Sequence, residues 1–373
     1  MMKHLCIPAV AALLALTSCA SVRNSYSSSD NVSTTVQSDC YVVVTRTVPV
    51  NGGGDVADLI QEVINNNPNR TIFFPDGIYL LSHPVLTPAD PAKSVHLVFA
   101  NYAVLKAMDG WKEGEALVKL GGKDPFNSIT INGSNYGIEG GIFDGSNVAD
   151  GISIDSGRET RVNHVSIKNT RVGLHIKRGA NNGSSDCDIV DVNIVGNNRP
   201  NSVGVLVEGY DNTFTDMRIA SVNKGVWIKT GGNTLRNIHP LYIFNKEQDY
   251  DSSCAFIVEG DSNNWLNCCY SDQFATGFLL ERGAAVNMRD CFAMWYSGKV
   301  PSQTAIRSTG AFNAQVTGMH FGFLDECPKI AILVAEPGGK GFILDPLDFA
   351  PHSSSDEDVS SMYTVFTNPS VGK

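Results

Sequence analysis

Gly151-Ile-Ser-Ile, Gly173-Leu-His-Ile, Gly204-Val-Leu-Val and Gly225-Val-Trp-Ile recur through the middle of the chain, each a glycine followed by a short apolar run. Gly277-Phe-Leu-Leu repeats the unit, and Ala255-Phe-Ile-Val and Ala305-Ile-Arg carry alanine in the glycine's place. A strand that short cannot bury its own apolar face, and a repeat of roughly 20–30 residues buries it by stacking each coil on the next. A second set of strands lies between: Val165-Ser-Ile167, Val192-Asn-Ile194, Met217-Arg-Ile219 and Asn237-Ile238. Asn212, Asn233 and Asn264 precede several of them at one phase. Inward asparagines at a bend satisfy buried backbone groups, so these read as structural. The pattern predicts a solenoid of parallel strands.

Upstream, Asp55 to Asn66 predicts a helix, with Asp55 as N-cap and Val56, Leu59, Ile60, Val63 and Ile64 on one face. Such a helix would close the open apolar end of the solenoid. Thr71-Ile-Phe-Phe-Pro-Asp-Gly-Ile-Tyr-Leu80 then reads as strand, turn, strand.

This entry, a glycine-rich start and a helix followed by Ile72-Phe-Phe-Pro-Asp-Gly-Ile-Tyr79, resembles that of the pectate lyase superfamily. The rhamnogalacturonase/epimerase-like proteins are the group it is most similar to, and Gly140-Gly-Ile-Phe-Asp-Gly145 is similar to a turn they carry before their regular coils. The resemblance spans roughly residues 40–345. It implies an all-β fold, a right-handed single-stranded parallel β-helix (pectin lyase-like) with an N-terminal capping α-helix. It leaves function open, because hydrolases, lyases, an epimerase and phage tailspikes share the scaffold. Polygalacturonase-like hydrolases carry an Asn-x-Asp triplet, a paired Asp-Asp, Gly-His-Gly and Arg-Ile-Lys. Here Asn147-Val-Ala-Asp150 is a loose echo of the first, and the others are absent.

Residues 1–18 read as a targeting segment whose apolar run, Ile7 to Leu16, is too short for a stable membrane span. Leu16-Thr17-Ser18-Cys19 looks like a bacterial lipobox, which makes Cys19 the lipidation site and the outer membrane of a bacterial envelope the expected location. Residues 19–39 read as a polar tether, 40–345 as the β-helix domain with its capping helix at 55–66, and 346–373 as a polar spacer ending in a strand at Met362–Thr367. A formal net charge of −10 without a basic patch argues against nucleic acid as a partner. The odd number of cysteines left after Cys6 and Cys19 argues against a full disulfide framework; Cys268 and Cys291, one coil apart, are expected to stack as thiols. No motif has metal-ligand spacing.

Coil lengths alternate, and the extra residues enter largely at one turn, in Gly196–Val203, His239–Ser253 and Trp295–Thr304. Insertions on one turn project from one side, where binding is expected. Glycosidic hydrolysis needs two carboxyl groups, and Glu247, Asp251 and Asp272 are the catalytic candidates, with Asp249 beside them. Tyr242, Trp295 and Tyr296 offer flat faces for sugar rings, and Arg199, Lys224 and Lys246 offer cations for substrate contact. Elimination from a uronic acid polymer would instead use a Lys or Arg base, with Ca²⁺ as the one cofactor it would call for. His164 and His175 read as ordinary strand histidines, the Asp186, Asp188 and Asp191 cluster as solvent-facing, and Trp227 as packing. The leading expectation is an envelope-anchored enzyme cleaving an extracellular polysaccharide. A non-catalytic glycan-binding or adhesion protein is the alternative, and a tailspike-like homotrimer the third reading.

Overall fold

The computed structural model describes residues 41–123, 137–178, 184–244, 249–260, 263–281, 283–295, 303–309 and 313–323, and beyond these four strands of backbone. Residues 40–373 form one compact unit. Its coils build two parallel sheets, one receiving a single strand per coil and the other receiving two. The single-strand sheet has eleven strands among the described residues, from Val85–Pro88 to Tyr363–Val365, and the two-strand sheet has nineteen.

Register explains the repeat. Ile154, Ile176, Val207, Ile228, Val258 and Leu280 pair in one column of the single-strand sheet and are all buried. Each such side chain withdrawn from water contributes about 1.5–3 kcal/mol. The leading glycine is required by close approach: a Cβ on Gly204 would stand 2.6 Å from the Gly225 carbonyl oxygen on the next coil. In the two-strand sheet, each coil turns at one residue in the left-handed region, which falls inside the long strands Arg161–Thr170, Asp188–Gly196, Thr213–Ala220 and Thr234–Leu241 and between the shorter strands of the later coils. His164, Asp191, Asp216, Asn237, Cys268, Asp290 and Gly318 occupy that corner, with φ between 51° and 61°. Gly, Asn and Asp accept this backbone most readily, which accounts for most of the column. His164 is therefore an exposed corner residue within the strand Arg161–Thr170, 3.7 Å from Asp191.

The asparagines stack as expected. Asn212 Nδ2 donates to Asn233 Oδ1 at 3.0 Å, and Asn233 Nδ2 donates to Asn264 Oδ1 at 3.2 Å. The backbone N–H groups of Asn212 and Asn233 use the same acceptors, and that of Cys187 uses Asn212 Oδ1.

The capping helix spans Ala57–Asn66 and buries Ala57, Ile60, Val63 and Ile64, while Leu59 is 38% exposed and turns away from that face. Val56 holds the N-cap position; Asp55, one residue earlier, still accepts the Ala57 N–H at 3.1 Å and ties in the Ser82 N–H at 3.0 Å. Gln61 donates to the Leu86 carbonyl at 2.9 Å and accepts the Leu86 N–H at 2.8 Å. It thereby occupies backbone groups of the sheet's first strand, which would otherwise be an open edge. At the other end the coils do not stop at 345. Asp348–Pro351 pairs with His320–Phe323, and Tyr363–Val365 pairs with Ile330–Ala335, so the terminal strand adds a rung.

The cysteine expectation shifts by one residue. Cys269 and Cys291 are the buried thiols aligned on adjacent coils, whereas Cys268 is the exposed corner residue.

Candidate active site

The long connections enter where the sequence placed them. After each of them the chain rejoins the single-strand sheet, at Val203, Cys254 and Thr304. Those residues lie in one column with Lys224 and Thr276 between them. The long connections thus end at one edge of the single-strand sheet.

The side chains chosen from those loops fare differently. Trp295 is fully buried and its indole N–H donates to the Phe274 carbonyl at 2.7 Å, so it packs the core and offers no face to a ligand. Tyr242 is 2% exposed, wedged edge-on against Phe244, Tyr250 and Phe274. Both aromatics are corrected from ligand contacts to core. Asp272 is buried on the two-strand sheet, 3.3 Å from His239 Nε2, and its partner is that histidine, which stacks on Tyr270 at 4.0 Å. Asp249 and Asp251 are exposed at the short helical turn Tyr250–Ser252, and Arg199 is exposed in the 197–202 loop. Lys246, Glu247 and Tyr296 lie outside the described residues, as does Cys19. Among the described residues, no three His, Cys, Asp or Glu side chains gather where a metal ion could be held, and no helix is long and apolar enough to cross a membrane.

A different constellation comes together on the outer face of the single-strand sheet. His175, Leu206, Trp227, Ile257, Leu279 and Arg307 pair in one column along it. Two residues further along each strand runs a charged column: Asp155, Lys177, Glu208, Lys229, Glu259 and Glu281. Its backbone is held by N–H bonds to the preceding coil, such as Lys229 to Val207 at 2.9 Å and Glu281 to Val258 at 2.9 Å. Lys177 lies 2.9 Å from Asp155, and Lys229 lies 3.1 Å from Glu208. His175 Nε2 lies 2.9 Å from Glu208. Burial holds the His175 imidazole below its usual range although Glu208 pulls it upward. The neutral ring that donates Nε2–H to Glu208 keeps Nδ1 as an acceptor. The Glu208 carboxyl is opposed by burial, yet bonds from His175 and Lys229 bring it below the ordinary carboxylate range.

Trp227 faces outward, contrary to the packing expected of it. Lys224 Nζ and Lys229 Nζ stand 4.6 and 4.5 Å from its ring centre, and its indole N–H donates to Glu259. One coil on, Glu281 is raised above the usual carboxylate range by burial and by the Glu259 charge. At the near end of the sheet, Asp150 is 5% exposed and bound by Arg171 at 2.7 Å; burial nonetheless holds its carboxyl above the ordinary range.

No protein family matches this sequence, and no curated protein matches it. Solved structures do. The A-module of a mannuronan C-5 epimerase from Azotobacter vinelandii aligns at 13% identity and a TM-score of 0.52, over 84% of this chain and 100% of that one. A tailspike protein variant of the E. coli bacteriophage HK620, in complex with a pentasaccharide, aligns at 11% identity and 0.59, over 85% of this chain and 64% of its own. The enzymatically active domain of tailspike protein 2 from bacteriophage CBA120 aligns at 11% and 0.57, over 83% and 47%. The chain has the pectate-lyase-like parallel β-helix fold. It spans less than two thirds of either tailspike.

Within this β-helix, sequence reasoning missed the charged column because each member is a single residue just past the end of a short strand. The signal was present. The residue after each Gly-x-x-x or Ala-x-x-x run is charged in six coils: Asp155, Lys177, Glu208, Lys229, Glu259 and Glu281.

Proposed function

We propose that this β-helix is a glycan-acting enzyme that hydrolyses a neutral polysaccharide at the outer face of its single-strand sheet. One observation carries the reading: Glu259 and Glu281 are neighbours on successive coils with Glu281 raised in pKa. Successive coils sit about 4.8 Å apart and the two carboxyls hydrogen-bond each other; a sugar entering between them would part them to the roughly 5–5.5 Å of a retaining glycosidase. Glu281 donates its proton to the glycosidic oxygen as the C–O bond breaks. Glu259, which accepts the Trp227 N–H, takes the anomeric carbon, and water then displaces it with Glu281 acting as base. Leu279, half-buried on this face, gives the ring an apolar contact beside the pair.

Most cations of this face are already engaged, which favours a neutral substrate; Lys224 lies over the Trp227 ring and Arg307 is bonded to Thr304 Oγ1. Lys119, Lys177, Lys229 and Arg171 are each already bound by a carboxylate of the protein. Elimination from a polyuronate needs positive charge to meet the substrate carboxylate. Two structural neighbours are named for a mannuronan and solved with a pentasaccharide, which accords with a glycan ligand here.

The test is reducing-end release from a panel of neutral polysaccharides. Glu281→Gln and Glu259→Gln are each expected to abolish it, and full turnover by either variant would sink the assignment. Anchoring at Cys19 is a further part of the proposal: Cys19→Ser should move the protein from the membrane to the soluble fraction, and an unchanged distribution would refute it.

A further inference from the structure

Trp265 stands 40% exposed in an open cleft of about 530 Å³ on the outer face of the two-strand sheet. Register lays the floor in two rows: Trp265, Asn287 and Gln315 in one, Asn267, Arg289 and Thr317 in the other. In the first row the two coils before Trp265 carry Thr234 and Thr213, side chains that suit a plain solvated sheet. The change from threonine to an exposed indole coincides with the cleft. The corner residue helps to shape it. Earlier coils place a side chain there, but the corner of the last cleft coil is Gly318, where a Cβ would stand 2.4 Å from Asp290 Oδ1.

We propose that this cleft is a second saccharide-binding site, taking a short neutral segment of polysaccharide without cleaving it. The proposal rests on the glycan reading for its ligand class and goes beyond it in assigning a site on another sheet. An indole face packs on the C–H face of a pyranose ring. Carboxamides present a donor and an acceptor side by side, as vicinal hydroxyls require. Asp290 lies 3.5 Å from Arg289 Nε and offsets its charge, so the cleft favours a neutral ring over an anionic one. Its three coils span about 10 Å at the usual strand spacing, room for about two rings.

The experiment is calorimetric titration of the full chain carrying Glu281→Gln with cellohexaose, xylohexaose and maltohexaose. At least one probe is expected to bind, and adding Trp265→Ala should weaken that binding about tenfold or more or remove one binding step, with the melting temperature unchanged. Asn287→Ala, which keeps the indole, should weaken it less. With Glu281 intact, Trp265→Ala should leave turnover of a short soluble substrate unaltered. Three probes without heat, or the same affinity and stoichiometry in the Trp265→Ala protein, would overturn the site. A dimer in sedimentation that Trp265→Ala dissolves would assign the cleft to a second copy and overturn it equally. Neither result bears on the carboxyl pair, which stands or falls on Glu281→Gln turnover.

Discussion

Asn233→Leu tests the element that holds the charged column in place. Asn233 follows Lys229 by four residues, as Asn212 follows Glu208, and its amide is fully buried. Its Oδ1 accepts two donors from Asn212, the backbone N–H at 3.1 Å and Nδ2 at 3.0 Å. Its Nδ2 serves Asn264 Oδ1, the Gly231 carbonyl and Thr230 Oγ1 at 3.2, 3.2 and 3.3 Å. Two of those acceptors keep another donor after the change: Asn264 Oδ1 retains the residue 233 N–H and the Gly231 carbonyl retains the Asp211 N–H. The two Asn212 donors lose the acceptor they share, and leucine fills the space a rescuing water would need. Each stranded buried donor costs about 1–3 kcal/mol, so the gross loss is about 2–6 kcal/mol. Apolar burial of leucine offsets part of this, and a net loss near 2 kcal/mol is expected. Urea unfolding followed by circular dichroism reads it as a shift in midpoint at constant slope. The double variant Asn212→Leu/Asn233→Leu should cost less than the sum of the singles, because one lesion removes a donor the other strands. A single-variant loss below about 0.5 kcal/mol, or strict additivity, would show that the stack is not satisfying the bend.

Three further outcomes follow from the same coordinates. Glu281 has a raised carboxyl in the folded state, so the stability it allows is fully present below the ordinary carboxylate range and is lost as pH rises through the folded value. Glu281→Gln should therefore gain on the parent as pH climbs from 4 to 7 in paired unfolding titrations, and parallel curves would refute the coupling to Glu259. Thiol labelling of the native protein, mapped by peptide, should mark Cys268 and spare Cys269 and Cys291; burial pushes the Cys187 and Cys254 thiols up to about 12, so they should be spared too. Gly225→Val should destabilise by several kcal/mol, because a Cβ there meets the Ala255 carbonyl oxygen at 2.4 Å, and equal melting temperatures would contradict that packing.

The legible part of this fold was whatever repeats with the coil. The Gly173- and Gly204-type strands, the asparagine stack and the entry of the long loops could all be placed from spacing, because parallel in-register stacking returns each phase to one column. Side-chain direction was harder. Trp295 and Tyr242 sit next to insertions, and proximity to a loop was read as exposure, yet both lie at strand ends where the core still claims them. Trp227 failed in the opposite sense. An aromatic inside an apolar run looks like core, but it occupies the outward phase between Val226 and Ile228, both buried. The Cys269 alignment was missed because Cys268 shares the left-handed corner with Asp290, which leaves Cys269 in register with Cys291.

Phase also decides which part of the charged column is structural. Along the outer face, Asp155, Lys177, Glu208 and Lys229 alternate in sign, and Asp155–Lys177 and Glu208–Lys229 are ion pairs. A stacked parallel sheet favours that alternation, since like charges one strand apart repel. Glu259 and Glu281 break it. Stability alone would have placed a lysine or a neutral residue at one of the two, as Thr309 stands on the following coil. The fold instead holds two carboxyls side by side and gives one of them an indole N–H. Burial and the neighbouring Glu259 charge raise the Glu281 carboxyl, which is what a proton donor requires of one of two otherwise identical side chains.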